Sequence, residues 1–168
     1  PDTYFFPPNI GPENVIRAML ENFDRKLTSE LRAEIAKQDR SIFEVIIMAS
    51  IIEREASDPE DRKIISGILW KRTKAGMALQ ADATITYITG HRPLGIESDD
   101  LKIDSPYNTY KFPGLPLGPI ANPGLDAITA AIYPKDSLYW YYLHDSEGAP
   151  HYAKTFEEHK ANKEKYLR

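Results

Sequence analysis

The sequence predicts an α+β domain that is mostly α, with several helices, a small β-hairpin and a long Pro/Gly-rich loop. Three observations predict it. Apolar residues recur at helical spacing in segments that open on capping signals. One stretch, Ser137-Leu138-Tyr139-Trp140-Tyr141-Tyr142-Leu143-His144, has strand composition and runs into a turn-forming Asp145-Ser146-Glu147-Gly148. Residues 91–123 are rich in Pro, Gly, Asn and Ser and follow neither period.

The elements follow in order. An extended aromatic segment covers residues 3–8. Gly11-Pro12-Glu13 then opens a helix whose Val15, Ile16, Met19, Leu20, Phe23 and Leu27 form one stripe. A polar helix spans residues 29–37, with Leu31 and Ile35 facing inward. Ser41-Ile42-Phe43-Glu44 is a capping box that starts an almost wholly apolar helix ending near Glu55 or Ala56. Ser57-Asp58-Pro59-Glu60-Asp61 starts the next helix, with a polar cap, proline at its first position and acids in the first turn. Its stripe is Ile64, Ile65, Ile68 and Leu69. Lys71, Arg72 and Lys74 suit the negative end of the helix dipole, and Gly76 is the stop. Residues 77–81 form an extended link, Asp82 caps a brief helix that ends at Gly90, and Asn122-Pro123 begins another that Pro134 stops. The tyrosines of residues 139–142 alternate on the strand, so half of that segment belongs in the core. Residues 151–153 return as a second strand, and Thr155-Phe156-Glu157-Glu158 is a second capping box opening a last helix to about Tyr166.

A chain of 168 residues is long enough for one domain with a real core. A net charge of −4 with scattered Lys and Arg gives no sign of nucleic-acid or anionic-membrane binding. The absence of cysteine excludes disulfides, thiol nucleophiles and Cys-ligated zinc. His91, His144, His151 and His159 lack zinc-like spacing, so no metal is expected, and no cofactor motif is present. No apolar stretch approaches the ~20 residues of a membrane span. The chain opens at Pro1 and reads as starting mid-structure, which predicts an upstream anchor or domain.

Residues 49–56, Ala-Ser-Ile-Ile-Glu-Arg-Glu-Ala, carry the strongest chemical signal: a buried helix ends in two carboxylates. Desolvation at such a mouth keeps a carboxyl protonated nearer neutral pH, as general-acid chemistry requires. The plainer reading is that Glu53 and Glu55 mark where the helix leaves the core. Two residues apart on a helix, they point to nearly opposite faces. Burial does not separate them. The small Ala49-Ser50 surface leaves room for a substrate beside Glu53 and favours it slightly.

Two further pieces alternate polar groups with tyrosines on a proline-stiffened backbone. They are residues 76–84, with Gln80, Asp82 and Thr84, and residues 104–110, with Ser105, Tyr107, Asn108 and Thr109. Sugars need that pairing of aromatic faces with amides and hydroxyls. The competing reading is an Ω-loop whose polar groups satisfy local backbone. For Asp82 and Asn122 the competing role is a helix cap.

Taken in order, residues 49–56, the Gly-Met-x-Leu-Gln-x-Asp-x-Thr stretch at 76–84, residues 105–110, the Gly-Leu-Pro run from Gly114 to Gly124 and the Thr155…Glu158-His159 ending resemble the endolytic murein transglycosylase family (YceG-like). The resemblance covers essentially the whole chain. It departs at Leu117, where the family repeats proline, and at Ala149-Pro150, which looks inserted. The resemblance implies a lysozyme-like helical catalytic domain. It also implies a parent protein anchored by one span in the bacterial inner membrane, facing outward, downstream of a small extra domain. The implied substrate is the peptidoglycan glycan strand, cut internally to 1,6-anhydro-N-acetylmuramic ends. Penicillin-binding synthesis proteins are candidate partners.

The family's catalytic glutamate falls on Glu53, acting as acid and then base. Glu55 is left as a structural or electrostatic neighbour paired with Arg54 or Arg72. Gln80, Asp82, Thr84, Ser105, Tyr107, Asn108 and Thr109 are the candidate sugar-binding residues, with Asn122 in support. Two rivals stay open: a hydrolytic muramidase in which Asp82 or Glu55 assists water, and a non-catalytic glycan-binding or scaffold domain.

Overall fold

The computed structural model describes residues 1–90 and 97–167. Its elements are α1 (Pro12–Lys26), α2 (Ser29–Lys37), α3 (Ile42–Glu55), α4 (Pro59–Lys74), α5 (Asp82–Thr89), a 3-10 turn (Asp100–Lys102), α6 (Leu125–Ile132), β1 (Tyr141–His144), β2 (Pro150–Ala153) and α7 (Phe156–Tyr166). The predicted mostly helical α+β architecture is therefore present. No helix among the described residues is long and apolar enough to cross a membrane.

Helix α3 is the axle of the domain. Val45, Met48, Ala49, Ile51 and Ile52 are fully buried, and the helix packs on α6 and α4 with α2 and α5 at its flanks. Because apolar residues surround α3 on all sides, it reads as a run rather than a stripe. Each such isoleucine stabilises the fold by about 1.5–3 kcal/mol through burial. The predicted capping box is formed: Ser41 accepts from the Glu44 amide and the Glu44 carboxylate accepts from the Ser41 amide.

Helix α4 starts on Asp58, whose carboxylate accepts from the Glu60 and Asp61 amides, and it ends in a Schellman turn. There Gly76 has φ +67°, its amide donates to the Thr73 carbonyl, and the Met77 amide donates to the Arg72 carbonyl. Gly67, in the middle of α4, lets the segment after α6 lie directly on the helix. A Cβ at that position would come within 2.1 Å of the Lys135 carbonyl oxygen. The carbonyls at the C-terminal end of α6 are met by side chains: Trp70 and Arg40 donate to Ala131, and Gln38 donates to Ile132.

The basic cluster on α4 does more than complement a dipole. Lys71 donates to the Ser137 carbonyl, and the buried Arg72 donates to the carbonyls of Trp140 and Leu79. These bonds tie the approach to the hairpin onto α4. They also explain why β1 covers only Tyr141–His144 and not the whole predicted stretch from Ser137, since the carbonyls of 137 and 140 are taken by cations. The antiparallel register pairs Tyr142 with Tyr152 and His144 with Pro150. None of the four aromatics at 139–142 is fully buried, contrary to the expectation for alternate positions. Leu143 is the buried residue of the strand, and Tyr142 packs on the core edge.

Three other expectations are corrected. Helix α1 has its apolar stripe, but Ile16, Met19, Leu20 and Phe23 stay exposed and only Leu27, just beyond its end, reaches the core. Helix α6 begins at Leu125 with Gly124 as N-cap, so Asn122 caps nothing. Asp82 is the first residue of α5 and makes no cap bond either. His91 and the start of the long loop at 91–96 lie outside the described residues.

Candidate active site

The last turn of α3 delivers its two glutamates to different surroundings. Glu53 lies against the start of α6. Its carboxylate accepts from the Gly124 amide at 2.9 Å and from the Arg62 guanidinium at 3.3 Å. Arg62 is itself fixed to the Ala56 carbonyl at 2.9 Å. The small surface expected beside Glu53 is closed. Ala49 and Ser50 have no solvent contact, and Ser50 Oγ donates to Ile47 and accepts from the Ile120 amide. The Gly-Leu-Pro run covers the place where a substrate was expected.

Glu55, on the opposite face, opens onto a cavity of about 580 Å³. The cavity is walled by α4 (Arg72), the α5 start (Gln80, Asp82), Tyr110, the hairpin (Tyr141, Tyr142, His144) and α7 (Phe156, His159). Tyr142 donates its hydroxyl to the Glu55 carboxylate at 2.9 Å. Burial raises the Glu55 carboxyl above its ordinary value. The Tyr142 hydrogen bond opposes that rise, and the negative charge of Asp82 adds to it. Glu55 does not form the expected ion pair: Arg72 donates to the backbone carbonyls of Trp140 and Leu79 and contributes to the site as a nearby charge.

Asp82 accepts from the Tyr110 hydroxyl, which joins α5 to the long loop across the cavity floor. Burial and the Asp82 contact both push the Tyr110 hydroxyl far above its ordinary value, so it stays a donor. Gln80 sits on the rim with φ +53°, a left-handed conformation that is uncommon outside glycine. Its amide donates to the Thr109 carbonyl.

The predicted sugar-binding residues therefore divide. Gln80 and Asp82 face the cavity with Glu55. Thr84, Asn108 and Thr109 do not, because all three are buried and their side chains are used internally. Thr109 Oγ1 accepts from the Ala81 amide and meets Thr84 Oγ1 at 2.9 Å. Asn108 donates to the carbonyls of Leu101 and Ile103 and accepts from the amides of Tyr110 and Lys111. This is the Ω-loop alternative realised: these groups build the loop that places Tyr110. Ser105 and Tyr107 lie further out. Ser105 Oγ accepts from the Tyr107 amide, and the Tyr107 ring packs on Tyr87. Asn122 lines a separate concavity of about 390 Å³ beside α1.

Tyr110, Tyr142, Arg72 and His144 are among the cavity residues that reading the sequence missed as site groups, as are Tyr141, Phe156 and His159. Tyr142 and His144 did carry a signal, since residues two apart on a strand share a face. That face meets α3 and α4, where Tyr142 reaches Glu55 and His144 reaches Asp61.

The YceG-like family profile matches residues 1–165. The chain is 39% identical over 168 residues to an endolytic murein transglycosylase of Bacillus subtilis, covering 99% of this chain and 46% of that protein. It is 35% identical to an endolytic murein transglycosylase of Streptococcus pneumoniae, covering 96% and 30%. The crystal structure of a YceG-like protein from Listeria monocytogenes superposes with a TM-score of 0.88 at 39% identity, covering 96% of this chain and 53% of that one. The chain thus spans less than half the length of the curated relatives it matches. With the profile running almost end to end and the fold shared, the chain belongs to the YceG-like family.

Proposed function

We propose that this chain is the catalytic domain of an endolytic murein transglycosylase, of lysozyme-like design, and that Glu55 is its acid and base. The observation that carries the reading is a carboxyl with a raised proton affinity on the wall of an aromatic-lined cavity. Glu53, which the family resemblance favoured, has its carboxylate bonded to Arg62 and to the Gly124 amide. A proton donor needs an available proton and an open approach, and Glu55 has both.

In the proposed reaction the Glu55 carboxyl protonates the oxygen linking N-acetylmuramic acid to N-acetylglucosamine. The C1–O bond breaks and the N-acetylglucosamine end leaves with its 4-hydroxyl restored. The C6 hydroxyl of the same muramic residue then bonds to C1, and the Glu55 carboxylate takes the proton it loses. No water is consumed, so no second carboxylate is obligatory. Tyr142 orients the carboxyl, and Tyr110, Tyr141 and Phe156 offer ring faces to sugar C–H surfaces. The setting is the bacterial cell envelope, with the longer parent protein membrane-anchored and working beside penicillin-binding synthesis proteins.

Cleavage of purified glycan strands by Glu55→Gln and Glu53→Gln tests the assignment. Loss of cleavage in the first and its retention in the second support it, and the reverse pattern returns the role to Glu53. A second reading, hydrolysis, is favoured by Asp82 standing in the same cavity as Glu55. Mass spectrometry separates the two, because anhydro ends mark the transglycosylase and ends heavier by one water mark a hydrolase.

A further inference from the structure

The hairpin face that supplies Tyr142 also supplies His144, for which the reaction above has no use. His144 Nε2 lies 2.7 Å from an Asp61 carboxylate oxygen, and the Tyr152 hydroxyl donates to the other oxygen. Asp61 belongs to the first turn of α4 and is 6% exposed, so this carboxylate sits behind the cavity wall. The His144 side chain is 23% exposed and lines the cavity that Glu55 opens onto. The Tyr142 ring stands edge-on to the imidazole, 6.2 Å between centroids, while its hydroxyl reaches Glu55. The pair is thus oriented, with its carboxylate buried against α4 and its imidazole facing the cavity.

We propose that His144, anchored by Asp61, is a positioning residue of this site, its imidazolium serving as counter-charge to the Glu55 carboxylate left after proton donation. The inference rests on the reading of Glu55 as the acid. The charges around the pair agree with it. His144 faces Asp61 of α4, Glu55 of α3 and Asp145 at the end of its own strand, and its contact with Asp61 raises its proton affinity. Glu55 faces Asp82 of α5, Tyr142 of β1 and His144, and the charge of His144 acts on it in the direction opposite to burial. Arg72, also near Glu55, is held by backbone carbonyls. Without a cation at His144, burial and Asp82 would raise the proton affinity of Glu55 further.

The test is a carbon-13 NMR titration of the Glu55 carboxyl in the protein, in His144→Gln and in Asp61→Asn, with the pH profile of glycan cleavage recorded beside it. Glutamine keeps a donor toward Asp61 but carries no charge. Asparagine leaves His144 without its anchor, so it covers the case in which His144→Gln fails to fold. In each folded variant the Glu55 midpoint is expected to move to higher pH, with the alkaline limb of cleavage moving by the same amount. His151→Gln, whose imidazole bonds Asp145 at the far side of the hairpin, is expected to shift neither. An unmoved Glu55 midpoint in either folded variant overturns the proposal. The titration needs no turnover, so a Glu55→Gln variant that still cleaves refutes Glu55 as acid without touching the coupling.

Discussion

Glu53 and Glu55 share one helical turn and a similar partial exposure, yet their surroundings are opposite in kind. Glu53 is met by a guanidinium, a backbone amide and the N-terminal end of α6. Glu55 is met by a phenol and a cavity, with a second carboxylate and the His144 imidazole beyond and no direct ion pair among the described residues. Positive partners secure a carboxylate and make it structural. Desolvation and like charge make a carboxyl hold its proton and become useful as an acid. The difference teaches that which face a glutamate points to, two residues along one helix, decides whether it meets an ion pair or a desolvating cavity.

The largest expected effect bears on that contrast directly. Glu55→Gln should lower glycan cleavage by roughly 10²–10⁴-fold, the range general acid–base groups contribute, while Glu53→Gln leaves it within about tenfold. Initial rates on defined strands measure both, and equal losses would erase the distinction. Gly67→Ala comes next. Its Cβ would collide with the Lys135 carbonyl, a backbone atom that cannot swing away. A loss of about 2–4 kcal/mol in denaturant unfolding is expected, because overpacking against backbone forces elements apart. It strikes the joint between α4 and the segment leading to the hairpin, so Glu55's wall should loosen while Glu53's contact with Gly124 persists.

Arg62→Met is smaller. It strips Glu53 of its cation and should cost about 1–3 kcal/mol, below the figure for a fully buried pair because Glu53 is 28% exposed. The cleavage rate per folded molecule should hold. A collapse of turnover at unchanged stability would instead return Glu53 to the chemistry.

The smallest effect is in the pH dependence of stability. In the unfolded chain Glu55 titrates near its ordinary value of 4.5, and in the folded protein it titrates higher. Between those points the folded state holds a proton that the unfolded state has released. Stability from this group is full below 4.5 and falls as pH rises through the folded value. Glu55→Gln should remove that fall, matching the parent in acid and exceeding it at neutral pH in thermal melts. The slope from His144 has the same sign, starting at its ordinary 6.5, and is reduced but not removed in Glu55→Gln, because the contact with Asp61 that chiefly raises it remains.

Much of the fold was legible because its signals are local. Ser41 and Glu44 close a capping box three residues apart, Asp58-Pro59 starts α4, and Gly76 ends it in the only conformation the turn allows a glycine to take cheaply. The site was less legible. Gln80 and Asp82 were marked from the sequence and line the cavity, but Thr84, Asn108 and Thr109 looked the same and turned inward. A short polar side chain in a loop can bond a sugar or its own backbone, and the residue types alone do not choose. Arg72 read as a dipole complement, yet it is a buried tie across 68 residues to Trp140.

What the sequence by itself determined is where helices begin and end, that α3 is buried, and that two carboxylates close it. Those follow from periodicity and capping, which act within a few residues. Only the tertiary structure decided what surrounds each carboxylate. The surroundings depend on what crosses each face: the Gly-Leu-Pro run and Arg62 over Glu53, the hairpin, Asp82 and Tyr110 around Glu55. Desolvation and charge are properties of neighbours in space, and 87 residues separate Glu55 from the tyrosine that holds it.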